Sequence, residues 1–112
     1  MNQLEVAIEK EIQSKGLNAP RLTPQHIEDQ IVGENWGRAT DLFKGSPTHT
    51  ALDCLTICVL TLKNGFTVVG KSACASPENY DAELGAKIAR EDARKQIWAL
   101  EGYLLRSKLA AN

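Results

Sequence analysis

The sequence predicts an α+β fold in which two N-terminal helices and a long C-terminal helix accompany one β-hairpin. An Asn64-Gly65 pair separates two apolar runs, as in tight hairpins. Apolar and small residues recur every three or four positions from Gly85 to Leu104, which is the helical period. The chain has 112 residues, of which 43% are hydrophobic and 24% charged, so we expect a single domain over residues 1–112.

The first helix is predicted from Leu4, Ile8 and Ile12, whose spacing makes a narrow apolar stripe on an otherwise polar helix. Gly16 is a typical residue for the end of this helix, because glycine readily takes the left-handed conformation there.

The second helix is predicted to begin at Thr23-Pro24, with threonine as the N-cap and proline in the first turn, and to end at Gly33. Residues 33–51 mix Gly, Ser, Pro, Thr and Asn with scattered apolar side chains, which predicts a loop or a partly helical insertion. The side chains expected to attach this segment to the protein are Trp36, Leu42 and Phe43. Irregular segments of this kind often carry binding residues.

The hairpin strands are predicted at about 54–63 and 66–74, joined by a two-residue type I′ turn in which both residues have positive φ. Such a turn places Lys63 opposite Phe66. One face would then show Ile57, Val59, Phe66 and Val68, and the other would show Cys58, Leu60, Leu62 and Val69. A sheet that is apolar on both faces needs cover on both, from helices or from another copy of the chain.

The C-terminal helix is predicted over about 79–109, packed on the hairpin. Its first half presents the small residues Gly85, Ala89 and Ala93, which allow a close approach to the sheet. Its second half carries a surplus of apolar residues: Ile97, Trp98, Leu100, Tyr103, Leu104 and Leu105. This surplus predicts a homo-oligomer, most simply a dimer. The polar side of the helix is expected to pair Arg90, Arg94 and Lys95 with Glu83, Glu91 and Asp92.

The charge and the cysteine content limit the kinds of function that we expect for this chain. The net charge of −1, from 13 Lys+Arg and 14 Asp+Glu, disfavours nucleic-acid binding through phosphates. The three cysteines contain no CxxC pair and make no zinc pattern with histidine, so we expect no disulfide framework, metal or cofactor. The longest apolar run is too short to cross a bilayer and the N-terminus lacks the apolar region of a signal peptide, which favours a cytoplasmic protein without membrane contact.

The hairpin and last helix carry the most specific motif, TICVLTLKNGFTVVGKSACASPENYDAELGAKIAREDARKQIWALEGYLL. It contains a G-x-S-A-C strand end, P-x-N-[FY]-D before the helix and I-W-x-L-x-G-Y near its end. Together with GLNAPRLTPQHIEDQIV upstream, it resembles the small bacteriophage proteins of the gene 49/gene 66 family. The resemblance implies a phage accessory protein in the host cytoplasm and gives its source and class rather than a mechanism.

The candidate site is the stretch GKSACASPENYD, Gly70 to Asp81, between the hairpin and the last helix. A P-loop is disfavoured because its Lys-Ser pair falls inside a predicted strand. In one interpretation the stretch is structural: Gly70 relieves crowding opposite Val59, and Ser76-Pro77 begins a turn. In the other it binds an anion at the helix start. The phosphate-binding residues would be Lys71, Ser72, Ser76, Asn79 and Arg90, with Trp36 or Tyr80 stacking on a base.

Cys74 would need a base to act as a nucleophile, and the sequence places neither His26 nor His49 beside it. A buried, inert cysteine is therefore expected, and the chain is expected not to be an enzyme.

The leading functional hypothesis is a phage accessory protein that acts on the host by non-catalytic binding. Its most concrete version sequesters a nucleotide-derived immune signal. The alternative is a protein–protein inhibitor of a host enzyme or defence protein, and a third hypothesis is a small virion or assembly component.

Overall fold

Within residues 2–112, which the computed structural model describes, the chain forms a three-stranded antiparallel sheet and four α-helices. The helices are α1 (Gln3–Ser14), α2 (Pro24–Asp29), α3 (Ala39–Leu42) and α4 (Ala82–Ala110), and the strands are β1 (Ile31–Arg38), β2 (Leu55–Leu62) and β3 (Thr67–Ala73). Two 3₁₀ turns span Thr50–Cys54 and Pro77–Asn79. The strand order is β1-β2-β3, so the predicted α+β class is confirmed and a third strand is added to the predicted hairpin.

Strand β1 occupies part of the segment expected to be irregular. The prediction of a loop or a partly helical insertion over 33–51 is wrong for residues 33–38, which pair with β2, whereas α3 provides a short helix within the segment. Helix α2 accordingly ends at Asp29 rather than at Gly33. A β-bulge between Ile31 and Gly33 breaks the alternation of side chains just where the strand begins. The sequence therefore lacks the regular two-residue pattern by which a strand is predicted.

The hairpin is confirmed, but its turn differs from the predicted type. The loop has three residues, Lys63 to Gly65, and the Leu62 N–H donates to the Phe66 carbonyl at 2.8 Å. Gly65 has a φ of 87°, whereas no non-glycine residue among those described has a positive φ. A type I′ turn needs positive φ at two positions, so that prediction was wrong; a three-residue loop with one left-handed glycine forms instead. The Asn64 side chain accepts the Phe66 N–H at 2.9 Å.

The longer loop shifts the strand register by one residue. Val68 therefore lies opposite Leu60, and Val69 lies opposite Val59. The buried face toward α4 is formed by Cys58, Leu60, Leu62 and Val68. The other face carries Ile57 and Val59, which are half-buried, and Val69, which is exposed.

Helix α4 crosses the sheet at very short range. Its small residues face the sheet, as predicted: Gly85, Ala89 and Ala93. Gly70 lies beneath this stripe, where an added Cβ would fall within 3.0 Å of backbone atoms of Ala89 and Ala93. Its partner across the sheet is Cys58 rather than Val59, so its role is to admit the helix, and the predicted relief of crowding opposite Val59 is wrong.

The core lies between α4, α2 and the sheet. Its buried members are Ile27, Cys58, Leu60, Leu62, Val68, Ala89, Ala93 and Ile97. Helix α1 contributes no buried residue to it, although its end before Gly16, with a φ of 65°, is as predicted.

An ionic cluster around Arg94 ties α1 and α2 to α4. Arg94 was expected on the polar side of the helix, but its side chain is only 2% exposed, so that prediction was wrong. Its Nε lies 2.6 Å from Glu28 Oε2, and its Nη1 lies 2.5 Å from Glu5 Oε2. The Trp98 indole N–H donates to the same Glu5 oxygen at 3.2 Å.

This cluster predicts a loss of stability in acid. Burial alone would raise the pKa of Glu5 and of Glu28, but the hydrogen bonds and charges of their arginine partners hold both pKa values below the ordinary 4.5. A carboxylate with a lowered pKa in the folded state stabilises the protein above its unfolded pKa and loses that contribution as pH falls through the folded value. We expect the urea midpoint to fall more steeply below about pH 4.5 in the native chain than in an Arg94→Met variant. Equal slopes in the two proteins would contradict the cluster.

Candidate functional site

The start of α4 does not offer an open anion site. The helix begins at Ala82, three residues after the predicted start at about 79. The Asp81 side chain caps it by accepting the Leu84 N–H at 2.8 Å, and Glu83 adds a second carboxylate in the first turn. A helix N-terminus attracts anions through its free N–H groups and positive dipole end, and here the Asp81 carboxylate already accepts one of those N–H groups, while Glu83 pairs with Lys87 at 3.5 Å.

Lys71 and Ser72 lie on opposite faces of the sheet. Lys71 pairs with Ile57 on the face away from α4, and Ser72 pairs with the buried Thr56 on the helix side. The residues from Gly65 to Ser72 do match the G-x-x-x-x-G-K-[ST] pattern of a P-loop. They form a hairpin turn and a strand instead of the loop that wraps a phosphate. The sequence therefore matches the P-loop pattern, but the structure does not.

The turn before α4 is built as a structural connection. Ser76 precedes the 3₁₀ turn at Pro77 to Asn79, with proline in the first position as predicted, but the serine side chain makes no capping hydrogen bond. Asn79 is exposed. The Tyr80 ring lies 3.9 Å from the guanidinium carbon of Arg38, which covers it.

Arg90 and Trp36 complete the set of predicted site residues. Arg90 lies 3.1 Å from Glu28 and 2.9 Å from Glu34, so its charge is already matched by two carboxylates. Trp36 is 48% exposed and lies in β1 opposite Cys58, on the sheet face toward α4. With Lys71 and Ser72 on opposite faces and Arg90 engaged with acids, the seven predicted residues do not converge on one anion.

Cys74 and the two histidines have separate hydrogen-bond partners among residues 2–112. The Cys74 thiol lies 3.6 Å from the Cys54 carbonyl oxygen, and burial followed by the proximity of Cys74 raises the pKa of the Cys54 thiol. His26 contacts Glu101 at 2.8 Å, while His49 accepts the Ala51 N–H. No cluster of three or more potential metal ligands occurs among the described residues, and none of their buried side-chain nitrogen or oxygen atoms lacks a hydrogen-bond partner.

An apolar groove lies between β3 and the middle of α4, and it is here named the β3–α4 groove. It has a volume of about 690 Å³. It is lined by Phe66, Thr67, Val68, Val69, Gln96, Ala99, Leu100 and Tyr103. Three of these side chains, Phe66, Leu100 and Tyr103, also line an adjoining hollow of about 280 Å³ toward the hairpin loop. The three therefore form a ridge between two depressions.

The two aromatic side chains of the ridge are largely exposed to solvent. Phe66 is 54% exposed and Tyr103 is 79% exposed. Aromatic side chains carry large apolar areas, and exposed clusters of them typically mark interaction surfaces. Tyr103 adds a hydroxyl that can hydrogen-bond at the rim of such a surface.

Side chains of α4 partly occupy the outer edge of β3 beside the groove. The Gln96 amide donates to the Val69 carbonyl at 2.5 Å, and the Asp92 carboxylate accepts the Lys71 N–H at 2.9 Å. An open edge strand can pair with another strand, and these side-chain contacts occupy the backbone groups that such pairing would use.

Part of the groove could be anticipated from the sequence. The surplus of apolar residues on the last helix includes Leu100 and Tyr103, which are exposed, whereas the homo-oligomer predicted from this surplus stays a prediction. Phe66 was not expected to line the groove, because the predicted two-residue turn placed it on a sheet face with Ile57 and Val59. An Asn-Gly pair alone does not distinguish two-residue from three-residue loops.

The fold and the groove define a small α+β protein with an exposed apolar groove. None of the helices described within residues 2–112 combines the length and apolar character needed to cross a membrane. The model of the Phage protein (N4 Gp49/phage Sf6 gene 66) family matches residues 22–109, and the chain belongs to this family, as the motif resemblance implied. No curated protein and no solved structure matches the chain.

Proposed function

We propose that this phage-family protein acts by binding a host protein without catalysis, through the β3–α4 groove. The observation that carries the proposal is the exposed ridge of Phe66, Leu100 and Tyr103. Aromatic residues at the centre of an apolar patch supply most of the binding energy at protein interfaces. The groove lies on a strand and a helix, and rigid elements of this kind hold a binding surface in place.

The extent of the surface supports a macromolecular partner. The accessible surface is 7649 Å², whereas a compact monomer of this mass has about 6,100 Å². The surplus of about 1,500 Å² belongs to an elongated chain of 53 × 29 × 18 Å, whose surface leaves room for the roughly 800 Å² that each partner contributes to a standard interface. The radius of gyration is 17.3 Å, against about 13 Å for a compact chain of this length.

The nucleotide-sequestering hypothesis has less support from the geometry. Phosphate recognition needs unpaired donors that converge, but Arg90 is engaged by two carboxylates and Asp81 caps the helix start. A homo-oligomer stays a prediction that rests on the apolar surplus of α4 and on the half-buried Ile57 and Val59 of the open sheet face.

Affinity capture from a lysate of the host bacterium tests the proposed function. The native chain is expected to retain one host protein in a stoichiometric amount, and Tyr103→Ala is expected to lose it. Since Tyr103 is exposed, this change should alter the free energy of unfolding by less than about 0.5 kcal/mol.

Leu4→Ala is the matched control, because Leu4 is an exposed apolar residue of α1 that lies outside the groove. It should retain the captured protein in full. Equal capture by the native chain and Tyr103→Ala would contradict the groove. Tight calorimetric binding of a cyclic or ADP-ribose-type nucleotide, with no protein captured, would favour the nucleotide hypothesis instead.

A further inference from the structure

We infer that the β3–α4 groove receives an acidic amphipathic helix of the partner protein. This inference rests on the proposed function and specifies the chemistry of the segment that enters the groove. Three features of the groove support it: a basic rim, a partly occupied strand edge and a length that suits a short helix.

The rim of the groove is basic on both walls. On α4, Lys95 lies one turn before Ala99, and Arg106 lies one turn after Tyr103, so both flank the helical wall. On the strand side, Lys63 precedes and Lys71 follows the wall formed by residues 66–69 in sequence. Lys71 shares the face away from α4 with Val69, which lines the groove. All four cations are exposed.

These four cations are not neutralised by the protein itself. Within residues 2–112, none of them lies within 4.0 Å of a carboxylate oxygen. Two carboxylates of α4 lie beside the same surface and keep their charge: Asp92 accepts the backbone N–H of Lys71, and Glu101 contacts His26 at 2.8 Å. Four cations against these two carboxylates leave a surplus of two positive charges around the groove, although the chain has a net charge of −1. Complementary charge in the partner would steer and orient its approach.

The partly occupied edge of β3 disfavours addition of a strand as the binding mode. Strand addition uses free backbone groups along the edge, and Gln96 and Asp92 already take the Val69 carbonyl and the Lys71 N–H. A helix makes all its backbone hydrogen bonds internally and enters an apolar groove through side chains alone.

The dimensions suit about three turns of helix. Lys95 and Arg106 are eleven residues apart in one helix, which corresponds to about 16 Å along its axis. The two depressions on either side of the ridge would each accept one apolar side chain. Apolar residues spaced by about one or two turns, with acidic residues on the flanks, meet both requirements.

A second copy of the chain fits this groove less well than a separate partner. A symmetric contact between two copies presents the same patch from both sides, so a basic rim would face a basic rim. Like charges placed together at an interface oppose association. Self-association through this face is therefore an outcome that would overturn the inference.

Fluorescence anisotropy with designed peptides tests the inference on the full chain. The probe is a labelled, side-chain-stapled helical peptide with Leu at positions i, i+4 and i+7 and Glu at the flanking positions. The comparison peptide replaces every Glu by Lys. We expect the acidic peptide to bind about tenfold more tightly or better, with an affinity that weakens as salt is added.

A charge-reversed protein provides the reciprocal test. The double variant Lys95→Glu with Arg106→Glu should lose about tenfold in affinity for the acidic peptide and gain affinity for the basic one. Lys108→Glu is the matched control. Lys108 lies on the same helix as Lys95 and Arg106 but lines a different hollow, beside Arg21 and Leu22, so this change should alter neither affinity. Circular dichroism establishes that the variants remain folded.

The outcomes separate this inference from the proposed function. Equal binding of both peptides, or binding of neither, overturns the acidic helix. If host-protein capture remains sensitive to Tyr103→Ala in that case, the proposed function stands. Self-association of the native chain that Tyr103→Ala abolishes would overturn the inference in favour of a second copy.

Discussion

Gly70→Ala is expected to lower the free energy of unfolding by about 3 kcal/mol or more, the largest effect of a single methyl group in this chain. The added Cβ would lie within 3.0 Å of the backbone of Ala89 and Ala93. Backbone atoms of a long helix cannot rotate aside as a side chain can, so α4 would have to move away from the sheet. That movement would open the contact that buries Cys58 and Val68.

Urea unfolding followed by circular dichroism measures this effect, and Gly102→Ala is its control. At Gly102 an added Cβ meets only Leu22, at 3.8 Å, and the position is inside a helix. Alanine there should raise the free energy of unfolding by about 0.5 kcal/mol through its higher helix propensity. A Gly70→Ala protein within about 0.5 kcal/mol of the native chain would show that α4 does not approach the sheet this closely.

Arg94→Met is expected to lower the free energy of unfolding by about 3 kcal/mol, because it leaves the largely buried Glu5 carboxylate without its cation, while Glu28 keeps Arg90. Glu5 and Glu28 would both lose their closest cation, and the Pro24 carbonyl would lose the Nη2 donor at 3.4 Å. Methionine keeps much of the volume of the arginine side chain, so the loss would report charge pairing rather than a cavity.

Arg106→Met is the matched control for this prediction, since Arg106 is exposed on the same helix and lies outside the ionic cluster. It should change the free energy of unfolding by less than about 0.5 kcal/mol. Trp98 fluorescence offers a second readout, because its indole N–H donates to Glu5 and would lose a fixed partner if α1 moved away. Equal stabilities of Arg94→Met and Arg106→Met would contradict the cluster.

The sequence predicts most of the α4 and hairpin arrangement because their signals are local and periodic. The small residues Gly85, Ala89 and Ala93 recur every four positions, and this spacing predicts the close helix–sheet contact that the structure contains. Thr23 and Pro24 likewise predict the start of α2, where the threonine side chain accepts the N–H of the third helical residue.

Strand β1 was not predicted because its sequence lacks a strand pattern. Gly33 and Gly37 lower strand propensity, and the bulge before Gly33 disrupts the two-residue alternation. The glycines instead serve packing: a Cβ at Gly33 would lie 3.2 Å from the Thr61 Cβ, and one at Gly37 would lie 3.0 Å from the Leu42 side chain. A glycine that is required because it packs against a residue distant in the sequence cannot be recognised from the sequence alone.

The site was only partly predictable for the same physical reason. Arg94 and its partner Glu5 are separated by 89 positions, so no local rule pairs them or predicts that the arginine is buried. The predicted anion site depended on side chains of neighbouring residues pointing the same way. A strand alternates its side chains between faces, which separates Lys71 from Ser72 once β3 extends through both.

Binding of a host protein by the β3–α4 groove is tested by the amount of that protein captured per mole of native chain and per mole of Tyr103→Ala. We expect one host protein at a near-equimolar ratio with the native chain and with Leu4→Ala, and its loss with Tyr103→Ala. Undiminished capture by a correctly folded Tyr103→Ala protein would contradict it.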